Sequence, residues 1–327
     1  MVHRSHPGLA PDMARDVTIR EIGPGSRLPA IRSTMRTADR KAWIAASAAA
    51  GIAEIEVGSC VSTDLLPAPA DGVELLAFAR TLPSLRVAVC ASGFDAALAA
   101  VAGEVHRITM PLSASESHSL FKVRRTHDQM LDEVRQTAAL IRSLPPEKRP
   151  HLQGSLATAF GCSIEGAIPQ ERVLHLAVAL MEAGCDEVGL SDTNGHANPE
   201  QVRRMIRSMW AAVGRDQLGS IQLHNGRGQG LANAVAALDV GLKTLDASLA
   251  GLGGCTTVAG AGGNIVTEDL VFMLEAMGLR TGIDIEALFA VRQLVARALP
   301  DEPLHGMAAL AGLPKGFVAA TLARALA

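Results

Sequence analysis

The feature that most constrains the fold of this chain is a regular alternation of short β-rich segments with longer amphipathic segments. The β-rich segments begin at Val17, Ala53, Leu85, Glu104, His151, Glu187, Ser220 and Thr244. A helix signal follows each of them at a spacing of roughly 25–35 residues, which is typical of parallel strands joined by crossover helices. Eight such units predict a TIM (β/α)₈ barrel within the α/β class.

The alternative for this pattern is a doubly wound open sheet. That fold would place a glycine-rich phosphate loop after the first strand, and the chain has none there. We predict a disordered or loosely docked N-terminal arm at residues 1–15, a catalytic barrel at 16–280 and a C-terminal helical extension at 281–327. The extension would cover the barrel or support a homodimer. We expect residues 113–126 to form a polar loop.

Charge and composition exclude several classes of partner. The 327 residues carry a net charge of −3, which gives no reason to expect nucleic acid or an anionic membrane. Only 3% of the residues are aromatic, so a base-stacking platform is not expected. No apolar run reaches the roughly 18 residues of a transmembrane helix. The five scattered cysteines form no C-x-x-C pair, so we predict a cytoplasmic protein without disulfides.

A glycine-rich segment, residues 250–264, follows the eighth predicted strand. It contains six glycines, with Cys255 in the middle and Asn264 at the end. Strand–glycine loop–helix units bind ligands in α/β proteins, because glycine lets the backbone approach a ligand closely. Cys255 would act as a proton donor or nucleophile, or would pack as an inert small hydrophobe.

Polar side chains gather at the predicted carboxyl ends of the strands, where barrel enzymes place their reacting groups. Alternation puts Gln222 and His224 on one side of the seventh strand. His224, Asn264 and one or two further oxygen ligands would suit Mg²⁺ or Mn²⁺, although a structural role for the histidine is equally compatible. Asp192 would serve as a site carboxylate or cap a turn. Other strand ends supply Glu21, Ser26, Arg27, Glu56, Ser59, Thr193 and Asn225.

Several motifs then point to one family. They are Gly-Leu-Gly-Gly-Cys at 251–255, Thr-Glu-Asp-Leu-Val at 267–271, Ala-Phe-Gly-Cys at 159–162 and Gly-Leu-Pro-Lys-Gly-Phe at 312–317. On these motifs the chain resembles the hydroxymethylglutaryl-CoA lyase family, which belongs to the metal-dependent barrel lyases. The resemblance runs from about Val17 to Phe317.

The resemblance implies retro-Claisen cleavage of a 3-hydroxyacyl-CoA, with release of acetyl-CoA and with a divalent metal as cofactor. It implies catalytic roles for Glu56, Asp192, His224 and Cys255, and metal binding by His224 and Asn264. For substrate binding we predict Arg27, Ser59, Thr193, Gly253 and Gly254.

The chain departs from the family pattern at the metal site itself. The family has Gly-Pro-Arg-Asp-Gly-Leu-Gln after the first strand, and here Gly25 and Ser26 replace the arginine and the aspartate. The family's His-x-His-Asp begins here with Gln222. Neutral ligands hold Mg²⁺ or Mn²⁺ poorly, so we expect weak metal binding. Losing the arginine predicts a rate loss of about 10²–10³ if nothing replaces it.

Three hypotheses follow for function. The first is a carbon–carbon lyase acting on an acyl-CoA with an altered metal site. The second is a non-catalytic relative that binds acyl-CoA or pairs with an active homologue. The third is an enzyme with metal-free acid–base chemistry through His224 and Cys255.

Overall fold

The eight strands of the chain close into one parallel barrel. The computed structural model describes residues 15–25, 35–60, 71–253 and 263–323. The strands pair in chain order, and β1 also pairs with β8, which confirms the TIM barrel. They are β1 Thr18–Glu21, β2 Glu54–Cys60, β3 Arg86–Ala91, β4 Arg107–Ser113, β5 His151–Ala157, β6 Glu187–Ser191, β7 Leu218–Gln222 and β8 Thr244–Ala247.

Helices surround the barrel and continue after β8. None of the described helices is long and apolar enough to cross a membrane. They are α1 Thr37–Ala49, α2 Gly72–Arg80, α3 Phe94–Ala102, α4 Glu116–Val123, α5 His127–Ser143, α6 Gln170–Ala183, α7 Pro199–Val213, α8 Gly230–Val240, α9 Thr267–Ala276, α10 Ile285–Ala298, α11 Ala308–Ala311 and α12 Ala320–Ala323.

Local sequence signals explain where the helices begin and end. Asn198 caps α7 by accepting a hydrogen bond from the Gln201 N–H, and Pro199 fits the first helical position because its missing N–H would have no partner there. Gly184 ends α6 at φ +105°, a left-handed conformation that glycine adopts without steric cost. The buried core between helices and strands is largely aliphatic, with Trp43 fully enclosed.

The prediction of a loop over residues 113–126 was wrong, because α4 lies inside that stretch. Two anchors stabilise this helix of eight residues. Ser115 caps it by accepting from the His118 N–H at 3.1 Å. The Glu165 carboxylate, distant in sequence, accepts from Ser115 Oγ at 2.8 Å and from the Ser117 N–H at 2.9 Å. A helix of this length is marginal by itself in water, so it depends on such a tertiary contact that the local sequence does not reveal.

The segments after β8 pack back onto the start of the barrel. The Asp284 N–H donates to the Ala50 carbonyl at 2.8 Å, and Arg280 pairs with Asp16 at 2.8 Å. These contacts place α10 against α1. Apart from Arg15, the predicted N-terminal arm lies outside the described residues, and the three-part division of the chain stays a prediction.

Candidate active site

The carboxyl ends of the strands surround a narrow cavity inside the barrel. Its volume is about 50 Å³, and its lining includes Glu56 of β2, Ser191 of β6 and Gln222 of β7. Asp192 and Thr193 follow Ser191 directly, and both are buried. We call this end of the barrel the mouth. It brings together most of the predicted site residues that the structure describes.

Gln222 and Asn264 hold each other through their side-chain amides. Gln222 Nε2 donates to Asn264 Oδ1 at 2.7 Å. On the far side, Ser191 Oγ donates to Gln222 Oε1 at 3.2 Å, and Asn264 Nδ2 donates to the Leu252 carbonyl at 3.2 Å. Both amides are therefore held at two points. We call Gln222 and Asn264 the amide pair.

The amide pair is the end of a longer run of hydrogen bonds. The Thr158 N–H donates to Thr193 Oγ1 at 2.8 Å, and Thr193 Oγ1 lies 3.3 Å from Ser191 Oγ. Because Ser191 gives its proton to Gln222, Thr193 is the donor in that second contact. We call the series from Thr158 through Thr193, Ser191 and the amide pair to the Leu252 carbonyl the polar chain. Thr158 begins it at φ 56°, a strained conformation for a β-branched residue.

Backbone pairing brings Asn264 beside the end of β7. His224 and Asn264 form an isolated antiparallel bridge, in which the Asn225 N–H donates to the Gly263 carbonyl at 2.9 Å. Strand β7 ends at Gln222. His224 therefore lies beyond the strand, and the bridge to Asn264 holds it in position. His224 is buried. At Gly263 an added Cβ would lie 1.8 Å from the Gly253 carbonyl oxygen, so this approach requires glycine.

These residues do not fit a divalent metal. Among the described residues, no group of three His, Cys, Asp or Glu side chains could hold one. The Asn264 oxygen, which the resemblance makes a ligand, already accepts a hydrogen bond, and Gln222 presents a hydrogen there instead of a lone pair. A cation at that point would need lone pairs from both side chains. Ser26, the fourth expected ligand position, lies outside the described residues.

Asp192 is buried and holds the turn that follows β6. Its Oδ1 accepts from the His196 N–H at 2.8 Å, and its Oδ2 accepts from the Ala197 N–H at 3.1 Å. Burial raises the pKa of Asp192 to about 6, although these two hydrogen bonds act in the opposite direction. Asp192 therefore caps a turn, as one alternative predicted, and its role as a site carboxylate stays a prediction.

Gly25 packs against the backbone of Glu56. An added Cβ at Gly25 would lie 2.5 Å from the Glu56 carbonyl oxygen and 2.8 Å from its carbonyl carbon. No side chain fits there unless the backbone moves. The structure thus gives a physical reason why the family's arginine is absent from this position.

Two buried carboxyl groups secure the base of the glycine-rich segment. The Leu249 N–H donates to both Glu21 oxygens at 3.0 Å, and Thr267 Oγ1 donates to Glu21 Oε2 at 2.7 Å. Glu268 accepts from the Ala250 N–H at 2.9 Å and from Arg292 at 2.9 Å. Burial raises the pKa of Glu21 to about 7.

The structure does not describe every predicted site residue. Ser26, Arg27, Gly254 and Cys255 lie outside the described residues, and Ser59 lies on β2 without a described side chain. Sequence reasoning missed Thr158 and Ser191 as site residues. Ser191 stands at a strand end directly before Asp192, so its position was a usable signal. The strained backbone of Thr158 has no counterpart in the sequence.

Fold and mouth together define a parallel barrel with buried polar residues at the carboxyl ends of its strands, which is where barrel enzymes place their active sites. The chain belongs to the HMGL-like family, whose family model matches residues 16–295. This match confirms the resemblance identified from the motifs. Members of this family generally depend on a divalent metal, so the amide pair is a departure from the family.

Named relatives agree with this assignment. The chain is 31% identical to the hydroxymethylglutaryl-CoA lyase YngG of Bacillus subtilis, over 89% of this chain and 97% of that protein. It is 32% identical to the mitochondrial hydroxymethylglutaryl-CoA lyase of Arabidopsis thaliana, over 86% of this chain but only 59% of that protein. An HMG-CoA lyase structure from Acinetobacter baumannii, in complex with coenzyme A and 3-methylmalate, matches with a TM-score of 0.85 and 31% identity, covering 94% of this chain and 99% of that one.

Proposed function

We propose that the chain cleaves a 3-hydroxyacyl-CoA by a retro-Claisen reaction and releases acetyl-CoA. The observation that carries the proposal is the burial of Glu56, Asp192 and His224 at the mouth of a barrel whose relatives are hydroxymethylglutaryl-CoA lyases. A related structure contains coenzyme A, which supports an acyl-CoA as the substrate class.

The reaction needs one base and one acid and no further reactant. A base removes the proton of the 3-hydroxyl group, the bond between C2 and C3 breaks, and a ketone forms at C3. The electron pair of that bond passes into the enolate of the thioester, which takes up a proton at C2 to become acetyl-CoA. Asp192, with a pKa of about 6, is ionised at neutral pH and suits the base. We assign the proton delivered to C2 to Cys255.

The phosphates of coenzyme A require positive charge near the mouth. Lys122 and Arg124 stand at the end of α4, which follows β4 at this end of the barrel. Two other basic residues, Arg40 and Lys41 of α1, are already neutralised, because Arg40 pairs with Asp71 at 2.7 Å and Lys41 pairs with Glu74. We therefore propose that Lys122 and Arg124 contact the coenzyme. A cytoplasmic location and a homodimer stay predictions.

The test is direct. We expect purified protein, incubated with 3-hydroxy-3-methylglutaryl-CoA, to release acetoacetate and acetyl-CoA in equal amounts. Cys255→Ala and Asp192→Asn should each reduce kcat by about 10²–10⁴, the contribution of a positioned acid or base. Asp216→Asn, which changes an exposed residue remote from the mouth, is the matched control and should leave kcat unchanged.

Failure to cleave any 3-hydroxyacyl-CoA would contradict the proposal. A second candidate function would then remain, which is binding of acyl-CoA without turnover. Two features favour binding without turnover. Gln222, which is hydrogen-bonded to Asn264, replaces a family metal ligand, and Gly25, which packs against the Glu56 backbone, replaces the family arginine. Calorimetric titration with acetyl-CoA would separate this outcome from a protein that binds no coenzyme at all.

A further inference from the structure

We propose that Gln222 is a catalytic residue that binds the oxyanion of the substrate through an amide N–H, in the place where relatives use a metal ion. The inference deepens the proposed function and rests on it. The oxyanion is the thioester oxygen, which gains negative charge as the C2–C3 bond breaks. Gln222 donates a hydrogen bond to that oxygen and transfers no proton, so the reaction needs no additional reactant.

The first argument is the direction of the Asn264 amide. Its Nδ2 faces the Leu252 carbonyl, which can only accept a hydrogen bond. Asn264 Oδ1 must therefore face Gln222, and Gln222 must present Nε2 to it. The Ser191 hydroxyl on Gln222 Oε1 fixes the same orientation from the other side. Both amide assignments thus follow from the partners, with no freedom to flip.

The second argument is that Gln222 Nε2 has a second hydrogen besides the one that it donates to Asn264. Gln222 Nε2 carries two hydrogens, and Asn264 takes one of them. An amide is planar, so the contacts at both ends of Gln222 also fix where the second hydrogen points. Among the described residues this second hydrogen has no hydrogen-bond acceptor. Gln222 lines the cavity at the mouth and is 8% exposed, and we infer that this donor faces the cavity.

The third argument is the polar chain behind the donor. Every hydrogen bond from the Thr158 N–H to Gln222 Oε1 runs in the same sense, and such series polarise their members. Polarisation at Oε1 makes the N–H groups of Gln222 better donors. A fixed donor aimed at developing charge is the arrangement that stabilises oxyanions in acyl-transfer enzymes, and removing one such donor costs about 10²–10³ in kcat. Asn264 acts as a positioning residue that holds Gln222.

The first experiment needs no substrate. Manganese binding is followed by electron paramagnetic resonance for the wild type and for Gln222→His, which restores an imidazole beside His224 and Asn264. We expect no stoichiometric Mn²⁺ in the wild type and a clear gain of affinity in Gln222→His. Stoichiometric Mn²⁺ binding by the wild type would overturn the inference, whether or not the protein cleaves any substrate.

The second experiment follows enolate formation alone, so it does not depend on the acyl group. The methyl protons of acetyl-CoA should exchange with D₂O in the presence of wild-type protein and excess EDTA, as followed by NMR. In Gln222→Glu and Gln222→Met, which lack the donor, the exchange rate should fall by about 10²–10³. Gln170→Glu, on the outer helix α6, is the matched control and should exchange at the wild-type rate.

The outcomes separate the two proposals. Exchange that needs added metal, that persists in both Gln222 variants, or that is absent from the wild type would overturn the role of Gln222. Exchange that depends on Gln222, without cleavage of any 3-hydroxyacyl-CoA, would support the oxyanion site and contradict the proposed overall reaction. Thermal melting of each variant shows whether it is folded. Asn264 positions Gln222, so Asn264→Asp should lower kcat more than it changes KM.

Discussion

At the scale of single residues, backbone contacts determine which side chains the mouth can carry. Gly25 approaches the Glu56 carbonyl so closely that even a methyl group would collide with it. Interiors are close-packed, so relief of that collision must move the backbone on both sides. The conformation after β1 and the loss of the arginine therefore belong together.

Substitution of Gly25 tests this contact. We expect Gly25→Ala to lower the free energy of unfolding by about 1–3 kcal/mol, the usual cost of overpacking a rigid site. Gly58→Ala is the matched control, because Gly58 lies on neighbouring β2 with nothing within 4 Å of an added Cβ. Urea unfolding of both variants gives the comparison. Equal stability of Gly25→Ala and the wild type would show that the backbone adapts there.

The ionisation of Asp192 predicts a pH dependence. If Asp192 is the base, kcat/KM should fall about tenfold per pH unit below its pKa of about 6. The raised pKa means that the folded protein holds this proton more tightly than the unfolded chain, so the contribution of Asp192 to stability decreases as pH rises from 3.8 to about 6. A loss of activity on acidification would therefore come from protonation of the base, and not from destabilisation of the fold through Asp192.

A pH–rate profile checks this. Asp192→Asn should abolish the acidic limb along with most of the activity, while Asp216→Asn should keep both. A profile that stays flat from pH 5 to pH 8 would remove Asp192 from the reaction.

At the scale of elements, the C-terminal helices secure the turn that follows β8. Ala250 adopts φ 56°, and Glu268 of α9 accepts its N–H. Arg292 of α10 pairs with Glu268 at 2.9 Å and also donates to the His305 carbonyl at 2.6 Å. The base of the glycine-rich segment therefore depends on elements that follow it in sequence.

Removal of Arg292 tests this dependence. Arg292→Ala leaves the Glu268 carboxylate buried without its cation, so we expect a loss of about 3–5 kcal/mol in the free energy of unfolding. Arg297→Ala, an exposed position on the same helix, should change it by no more than about 0.5 kcal/mol. Chemical denaturation distinguishes the two. If Arg292→Ala were as stable as the wild type, Glu268 would have to be protonated and would need no cation.

At the scale of the whole molecule, charge fills the interior below the mouth. Arg20 of β1 lies 3.1 Å from Glu54 and 3.4 Å from Glu187, and Arg107 of β4 lies 2.6 Å from Glu54. The three strands β1, β2 and β4 are thus joined to β6 by ion pairs across the barrel. The cavity connects this layer with the polar chain above it, because Arg107 and Asp246 line it together with Ser191 and Gln222.

The barrel could be predicted because each strand and helix carries its own local signal. The α4 helix could not, since Glu165 holds it from a distant part of the chain. In the site, Gln222 and Asn264 could be named from motifs alone. Their direct contact could not, because it depends on the bridge between His224 and Asn264 and on the register of β6 beside β7. A motif in the sequence identifies a site residue, whereas the hydrogen-bond partners of that residue depend on how the strands come together in the closed barrel.

The polar chain has a consequence for the life of the protein in a cell. Each of its donors and acceptors is encoded in the polypeptide, from the Thr158 N–H to the Leu252 carbonyl. The oxyanion site that we propose at Gln222 would be assembled as soon as the chain folds, without a loading step. Under that proposal, the activity would not depend on the supply of manganese or magnesium in the cell.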